Sequence, residues 1–207
     1  MMYLIDCYHP VLRLVCEFSQ PERQNQEYDD FREQTLEIFQ QSIVASQQLA
    51  ISATESDDAL FAMTVWFDEM VLRSELPFKH YWRNQLLQTH FFNTVIGGEE
   101  FFSRLDNIDD ENIALRMVYL NCLLLGFHGK YHHRDSSELL KRIAVERLNL
   151  PAPWHEWPNN AVMTQVYLSE DKKENGILSR VIKRKYSMVF FLVVEYGLLS
   201  GMLLTLF

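Results

Sequence analysis

Residues 54–72 read TESDDALFAMTVWFDEMVL. A polar start at Thr54 to Asp57 ahead of apolar residues has the make-up of a helix N-cap, and the spacing predicts a helix over 59–72. On it Phe61, Val65, Asp68 and Leu72 fall at i, i+4, i+7 and i+11, which sets the Asp68 carboxylate in an apolar stripe. A buried carboxylate needs partners. Hydrogen bonds from a neighbouring loop would serve, as would a cation such as Arg73, Arg83 or Arg104. Glu69 lies instead on the line of Ala62, Trp66 and Arg73, where an i, i+4 ion pair with Arg73 contributes roughly a few tenths of a kcal/mol. The Asp68–Glu69 pair therefore has two readings, a fixture between helices or a partner-binding element.

Outward from this helix the period stays helical. The chain of 207 residues holds only seven glycines and six prolines. Val11, Leu14, Val15 and Phe18 make one stripe, with Pro21 ending its helix. Leu36, Phe39, Ile43 and Ala50 make a second, and Pro77 separates the 59–72 helix from another over 78–96. Gly97-Gly98 breaks the chain before a short helix over 99–105, whose built-in acidic caps Glu99 and Glu100 argue against a phosphate-binding loop. Ile113, Met117, Leu120, Leu124 and Phe127 form the longest clean stripe. It is stopped by Gly126 and Gly129, both expected at positive φ. Asp135-Ser-Ser-Glu138 caps a last helix to about Leu148. The fold class is thus all-α. Cys7, Cys16 and Cys122 have no paired spacing and sit in apolar patterns, which predicts buried thiols and no disulfide.

The C-terminal segment 186–207, YSMVFFLVVEYGLLSGMLLTLF, is apolar over a length that matches a hydrocarbon core of roughly 30 Å. Arg180, Lys183, Arg184 and Lys185 flank its N-terminal side, so the positive-inside rule predicts a single-pass anchor with the preceding body in the cytoplasm. The first 16 residues lack a basic n-region and a cleavage site. Residues 180–207 carry a charge of +3 within a total of −9, which leaves −12 on the body and disfavours nucleic acid as a partner. The basic flank is the exception and suits contact with inner-membrane lipid. Within the anchor Glu195 lies near mid-bilayer, while Gly197 and Gly201 form a small-xxx-small pattern about 200° and 240° around the helix from it. Two readings follow: two packing faces, one for self-association and one for a different membrane partner, or a protonated Glu195 with glycines that are merely common in membrane helices. The expected organisation is a helical body over 1–150, a linker and juxtamembrane segment over 151–185, and the anchor over 186–207.

Three segments carry a family resemblance: FDEMVL at 67–72, GGEEFF at 97–102, and YLNCLLLGFHGKY at 119–131. In order and spacing they resemble the DotU/TssL (IcmH-like) family across roughly residues 9–148, with an anchor following where that family has one. Phe67 replaces the leucine common before Asp-Glu, and Arg116 stands where an acidic residue is frequent; neither breaks a motif. The resemblance implies a hook-like cytoplasmic domain of two small helical bundles and a place in a type VI, or related type IVB, secretion apparatus of the inner membrane. It also implies pairing with a large IcmF/TssM-like membrane protein and docking of baseplate components, with Asp68 and Glu69 as the partner-binding candidates. Gly97, Gly98, Glu99, Phe101, Phe102, Gly126, Phe127, Gly129 and Tyr131 are the structural motif residues it implies. Some relatives continue past the membrane into a peptidoglycan-binding domain; with this sequence stopping at Phe207, cell-wall anchoring is expected to come from another subunit.

Signals for catalysis are weak. His128, His132 and His133 have no HExxH or paired CxxC beside them, so they read as a solvated cluster near Lys130 and Arg134, with no metal and no cofactor expected. No G-x-S-x-G or P-loop occurs. The function expected is a non-enzymatic scaffold subunit for effector secretion. The alternative is a tail-anchored helical regulator that binds an amphipathic helix in a groove, for which the Asn-Trp-Gly-Arg signature of Bcl-2-like proteins is missing. A metal-dependent hydrolase ranks third.

Overall fold

Helix α4, Ala53–Arg73, is buried on all sides from Ala59 to Asp68, and the rest of the fold is arranged around it. Ten consecutive residues of which only Thr64 and Asp68 are polar can find an apolar environment only at the centre of a helical domain. In this computed structural model, which describes residues 3–132 and 136–152, the chain opens with a 3₁₀ turn, Leu4–Tyr8. The turn leads into α1 (His9–Cys16) and α2 (Pro21–Gln24), then α3 (Tyr28–Gln47) and α4. Short helices α5 (Lys79–Trp82) and α6 (Leu87–Phe92) precede α7 (Gly97–Asp106), α8 (Ile113–Leu124), a second 3₁₀ turn (Gly129–Tyr131) and α9 (Ser136–Leu148). The described residues contain helices and no strand, as the periodicity predicts. None of these helices is long and apolar enough to cross a membrane. The predicted anchor, with Arg180, Lys183, Arg184, Lys185, Glu195, Gly197 and Gly201, lies outside the described residues.

The helices gather on α4 in two groups. On one side α1, α3 and α5 pack with it around an aromatic cluster. Phe31 lies 4.9 Å from Phe78 and 5.6 Å from Trp82 between ring centroids, and Phe67 lies 5.7 Å from Phe18 and 5.5 Å from Phe39. The Phe31–Phe78 pair is tilted and the other three are edge to face, and such aromatic pairs add roughly 0.5–1.5 kcal/mol each beyond their buried area. On the other side α7 and α8 pack against α4, and α9 packs against α8. There the Cys122 thiol sits 3.8 Å from the Ala62 carbonyl oxygen, a close approach made possible by small side chains.

Several local expectations fail in the body of the fold. The N-cap of α4 is Ser52, whose hydroxyl accepts from the Glu55 N–H at 3.0 Å, so Thr54 to Asp57 form the first helical turn. The buried face of α3 is Phe31, Thr35, Phe39, Ser42 and Ser46, with Leu36 and Ile43 at its margin and Ala50 beyond the helix. Hydroxyls reach the core there because each is satisfied: Thr35 donates to the Phe31 carbonyl at 2.7 Å, Ser42 to that of Ile38 at 3.0 Å, and Ser46 shares a 2.7 Å bond with Ser56. The helix expected over 78–96 is two short helices, because the amides of Leu87 and Gln88 bond to a side chain of α4. Cys16 is exposed, while Cys7 and Cys122 are buried free thiols.

A buried ionic cluster joins the C-terminal helices. Glu146 on α9 receives Arg116 of α8 at 2.7 Å and Arg142 at 2.8 Å, and Arg142 also reaches Asp106 at 2.6 Å. Arg116 donates further to the Ile108 carbonyl at 3.0 Å and to Asp110 at 3.3 Å, fixing the α7–α8 connection. The Arg116 and Glu146 side chains are 4% and 3% exposed, so each needs the other. Glu146→Ala, which strands Arg116, is expected to cost about 3–5 kcal/mol in urea denaturation. The double substitution Arg116→Met with Glu146→Leu is expected to recover most of that loss, because it leaves no unpaired charge.

Candidate functional site

Asp68 is 1% exposed, near the C-terminal end of α4 and facing α5 and α6. Its Oδ1 accepts the Trp82 indole N–H at 2.8 Å and the Leu87 N–H at 2.9 Å, and its Oδ2 accepts the Gln88 N–H at 2.9 Å. Leu87 and Gln88 open α6, where the first N–H groups have no intrahelical acceptor and the helix has no side-chain cap of its own. Asp68 caps that helix from another part of the chain, and its negative charge suits the N-terminal dipole. The capture of these two amides ends the helical run from residue 78 and starts α6. Of the cations considered from sequence, Arg73 pairs with Glu69, Arg104 pairs with Asp58 and Glu100, and Arg83 is exposed. The cation whose field reaches Asp68 is Arg32, stacked over Trp82 at 4.7 Å from the ring centroid. Burial pushes the Asp68 carboxyl up to about 6 against the pull of the three hydrogen bonds and Arg32.

Glu69 does more than pair with Arg73. Its Oε1 accepts the His128 N–H and its Oε2 the Gly129 N–H, both at 2.9 Å. Arg73 lies 3.3 Å from Oε1 and donates to the Gly126 carbonyl at 2.6 Å. One turn of α4 thus clasps the loop after α8 by both its donors and its acceptor. The loop can present them because Gly126 and Gly129 adopt φ of +94° and +50°, as the sequence predicts.

GGEEFF closes the third side. Gly97 and Gly98 lie inside α7, forming its first turn; they are not a break before it. Gly97 donates to Gln88 Oε1 at 3.0 Å, so α7 too is capped by a distant side chain. A Cβ on Gly98 would stand 3.2 Å from Gly129 Cα, which marks a contact of backbone on backbone. Phe101 packs against Tyr119 and Phe127 at 4.6 and 4.3 Å, and Phe102 meets Tyr131 edge to face at 4.9 Å. Glu99 is exposed in the first turn of α7. Gln88 links Asp68 to Gly97, so the three motif segments converge on one framework. Nothing in the sequence spacing of Trp82, Gln88, Arg32 and Glu146 connects them to Asp68 or Arg116.

The histidines depart from the solvated cluster expected. His128 is half-buried and its Nε2 is buried with no hydrogen-bond partner, although His132 is exposed. Burial first, and the Arg73 guanidinium second, hold the His128 imidazole below its usual range. Glu69, His128 and His132 bring donor atoms within 4.8 Å of one another. His133 lies outside the described residues.

A family model described as "Type VI secretion system protein DotU" matches residues 3–206. Among solved structures the chain is similar to one described as "Cytoplasmic domain of TssL from Acinetobacter baumannii", at 26% identity and a TM-score of 0.66, covering 72% of this chain and 97% of that one. It is also similar in fold to TssL from Vibrio cholerae, at 24% identity and a TM-score of 0.61 over 71% of this chain and 94% of that one. SciP/TssL of enteroaggregative Escherichia coli 042 gives 24% and 0.59 over 72% and 88%. No curated protein matches the chain.

Two outcomes test this framework. Because the folded Asp68 carboxyl sits above its ordinary 3.8, its contribution to stability is full below about pH 4 and is lost as pH rises through about 6. The stability of the parent relative to Asp68→Asn is therefore expected to grow by on the order of 1–3 kcal/mol as pH falls from 7 to 4, read by urea denaturation across that range. Gly126→Ala has open space around the new methyl and is expected to cost about 1 kcal/mol, for its positive φ alone. Gly129→Ala, with its Cβ 2.7 Å from the Gly98 carbonyl oxygen, is expected to cost at least about twice that in the same measurement.

Proposed function

The chain belongs to the DotU family of type VI secretion system proteins, and from that membership we propose that it is a non-enzymatic scaffold subunit of the secretion apparatus at the inner membrane. The observation that carries this reading is the family match over residues 3–206, which runs from the helical body through the apolar segment 186–207. In this proposal the body, about residues 1–150, faces the cytoplasm and 151–185 link it to the anchor. The anchor pairs with an IcmF/TssM-like protein, through Glu195 or through the Gly197/Gly201 face, with self-association on the other, and Arg180, Lys183, Arg184 and Lys185 hold its end at the lipid surface.

Docking of baseplate components falls to the body. Asp68 is buried and Glu69 is occupied by the 126–129 loop, so in this reading the pair contributes by holding neighbouring surface in place. That surface includes Tyr81, Val95 and Ile96, large apolar side chains that are 56%, 77% and 61% exposed on either side of α6. Exposed aromatic and aliphatic residues on a rigid support suit an interface anchor, and the acidic charge of the body supports selection of a basic partner surface.

Affinity purification from detergent-solubilised membranes of cells that express the apparatus tests both halves. The full chain is expected to recover an IcmF/TssM-like protein, and deletion of 186–207 is expected to move the body to the soluble fraction. Val95→Asp with Ile96→Asp is expected to lower baseplate recovery at least tenfold without shifting thermal unfolding. A clean monomer from the full chain would overturn the scaffold reading.

A further inference from the structure

We propose that Glu69, His128 and His132 form a binding site for a divalent transition-metal ion of the zinc class. One turn of α4 and the loop after α8 bring the three side chains together, and a ligand atom from each lies within 4.8 Å of the others. A common point then lies no more than about 2.8 Å (4.8 Å divided by √3) from all three, against roughly 2.0–2.2 Å for zinc–nitrogen and zinc–oxygen bonds. Small side-chain rotations close that gap. The donor set, two imidazoles and one carboxylate, is the combination that favours zinc, nickel or copper over calcium or magnesium.

Two further features point to a ligand. The His128 Nε2 atom is buried and makes no hydrogen bond, an arrangement that costs free energy unless something else occupies its lone pair. The Glu69 carboxylate is also already oriented as a supported ligand. Its Oε1 accepts both the His128 N–H and an Arg73 N–H, whereas its Oε2 accepts the Gly129 N–H alone, which leaves Oε2 a further acceptor position. The backbone bonds that hold the loop thus also aim the carboxylate, as supporting hydrogen bonds do in metal sites generally. Arg73, 3.3 Å from Oε1, is the opposing charge and weakens affinity without blocking Oε2. A bound ion would tie the 126–132 segment to α4 a second time, beside the Glu69 clasp.

The test uses the full chain in detergent, stripped with chelator and titrated with Co²⁺, whose visible absorption reports nitrogen and oxygen ligation, and with Zn²⁺ in competition. One ion per chain is expected, with Zn²⁺ displacing Co²⁺ and raising the thermal midpoint. His132→Ala and His128→Ala are each expected to weaken binding at least tenfold. His132 is exposed, so its variant keeps the test decisive if the His128 variant fails to fold. No stoichiometric binding by the parent chain, or unchanged binding by the folded His132→Ala protein, would overturn the proposal.

Discussion

A single carboxylate with three donors in a dry interior sets the terms for this domain. Removing Asp68 from water is costly, and the cost is met only if its oxygens find hydrogen-bond donors. It finds them in the Trp82 indole and in the two amides that open α6. Those amides need an acceptor as much as the carboxylate needs donors, since a helix start in the interior has no water to turn to. Each side's desolvation is thus offset by the other. Trp82 in turn stands at the centre of the aromatic cluster with Phe31 and Phe67, so the same carboxylate locates a ring on which much of the α3–α4 packing rests.

The framework spreads from there by relays. Gln88 gives its amide N–H to Asp68 and takes the Gly97 N–H on its side-chain oxygen, which sets where α7 begins. The first turn of α7 then lies directly on Gly129, which Glu69 holds from α4. Adjacent acids on one helix consequently point to different parts of the chain. Asp68 orders the start of α6, and Glu69 orders the loop after α8. For a protein of the type VI secretion family, in which we assign the body a docking role, this places the motif residues beneath a surface and gives that surface a fixed shape.

Much of this is legible in outline from the sequence. The helical period identifies the class, and the two loop glycines are recognisable as positive-φ positions because an L side chain rarely tolerates that conformation. The placement of Asp68 within an apolar stripe also identifies it as a group in need of partners. Which partners is not legible. Arg73 is plausible by proximity in sequence and Arg104 by charge alone, yet each is engaged elsewhere, and the acceptor's real partners include main-chain amides that carry no sequence signature. The same blindness explains the split of 78–96. Local propensity favours one helix there, and only a carboxylate from α4 makes two preferable. The ionic cluster of Arg116, Glu146 and Arg142 escapes a sequence reading for a related reason, since 30 residues separate its central pair and each member alone reads as an ordinary surface charge.

Sequence alone determined the all-α class, the family, the apolar character of α4 and the φ demands of Gly126 and Gly129. Each of these depends on short-range sterics, on periodicity along one helix, or on ordered motifs. Tertiary structure decided which acceptor caps which helix, where the 78–96 segment breaks, and that Glu69 reaches His128 and Gly129. Those outcomes are competitions among buried polar groups for a limited set of partners, and such competitions are settled only once the chain has brought distant residues within hydrogen-bonding reach.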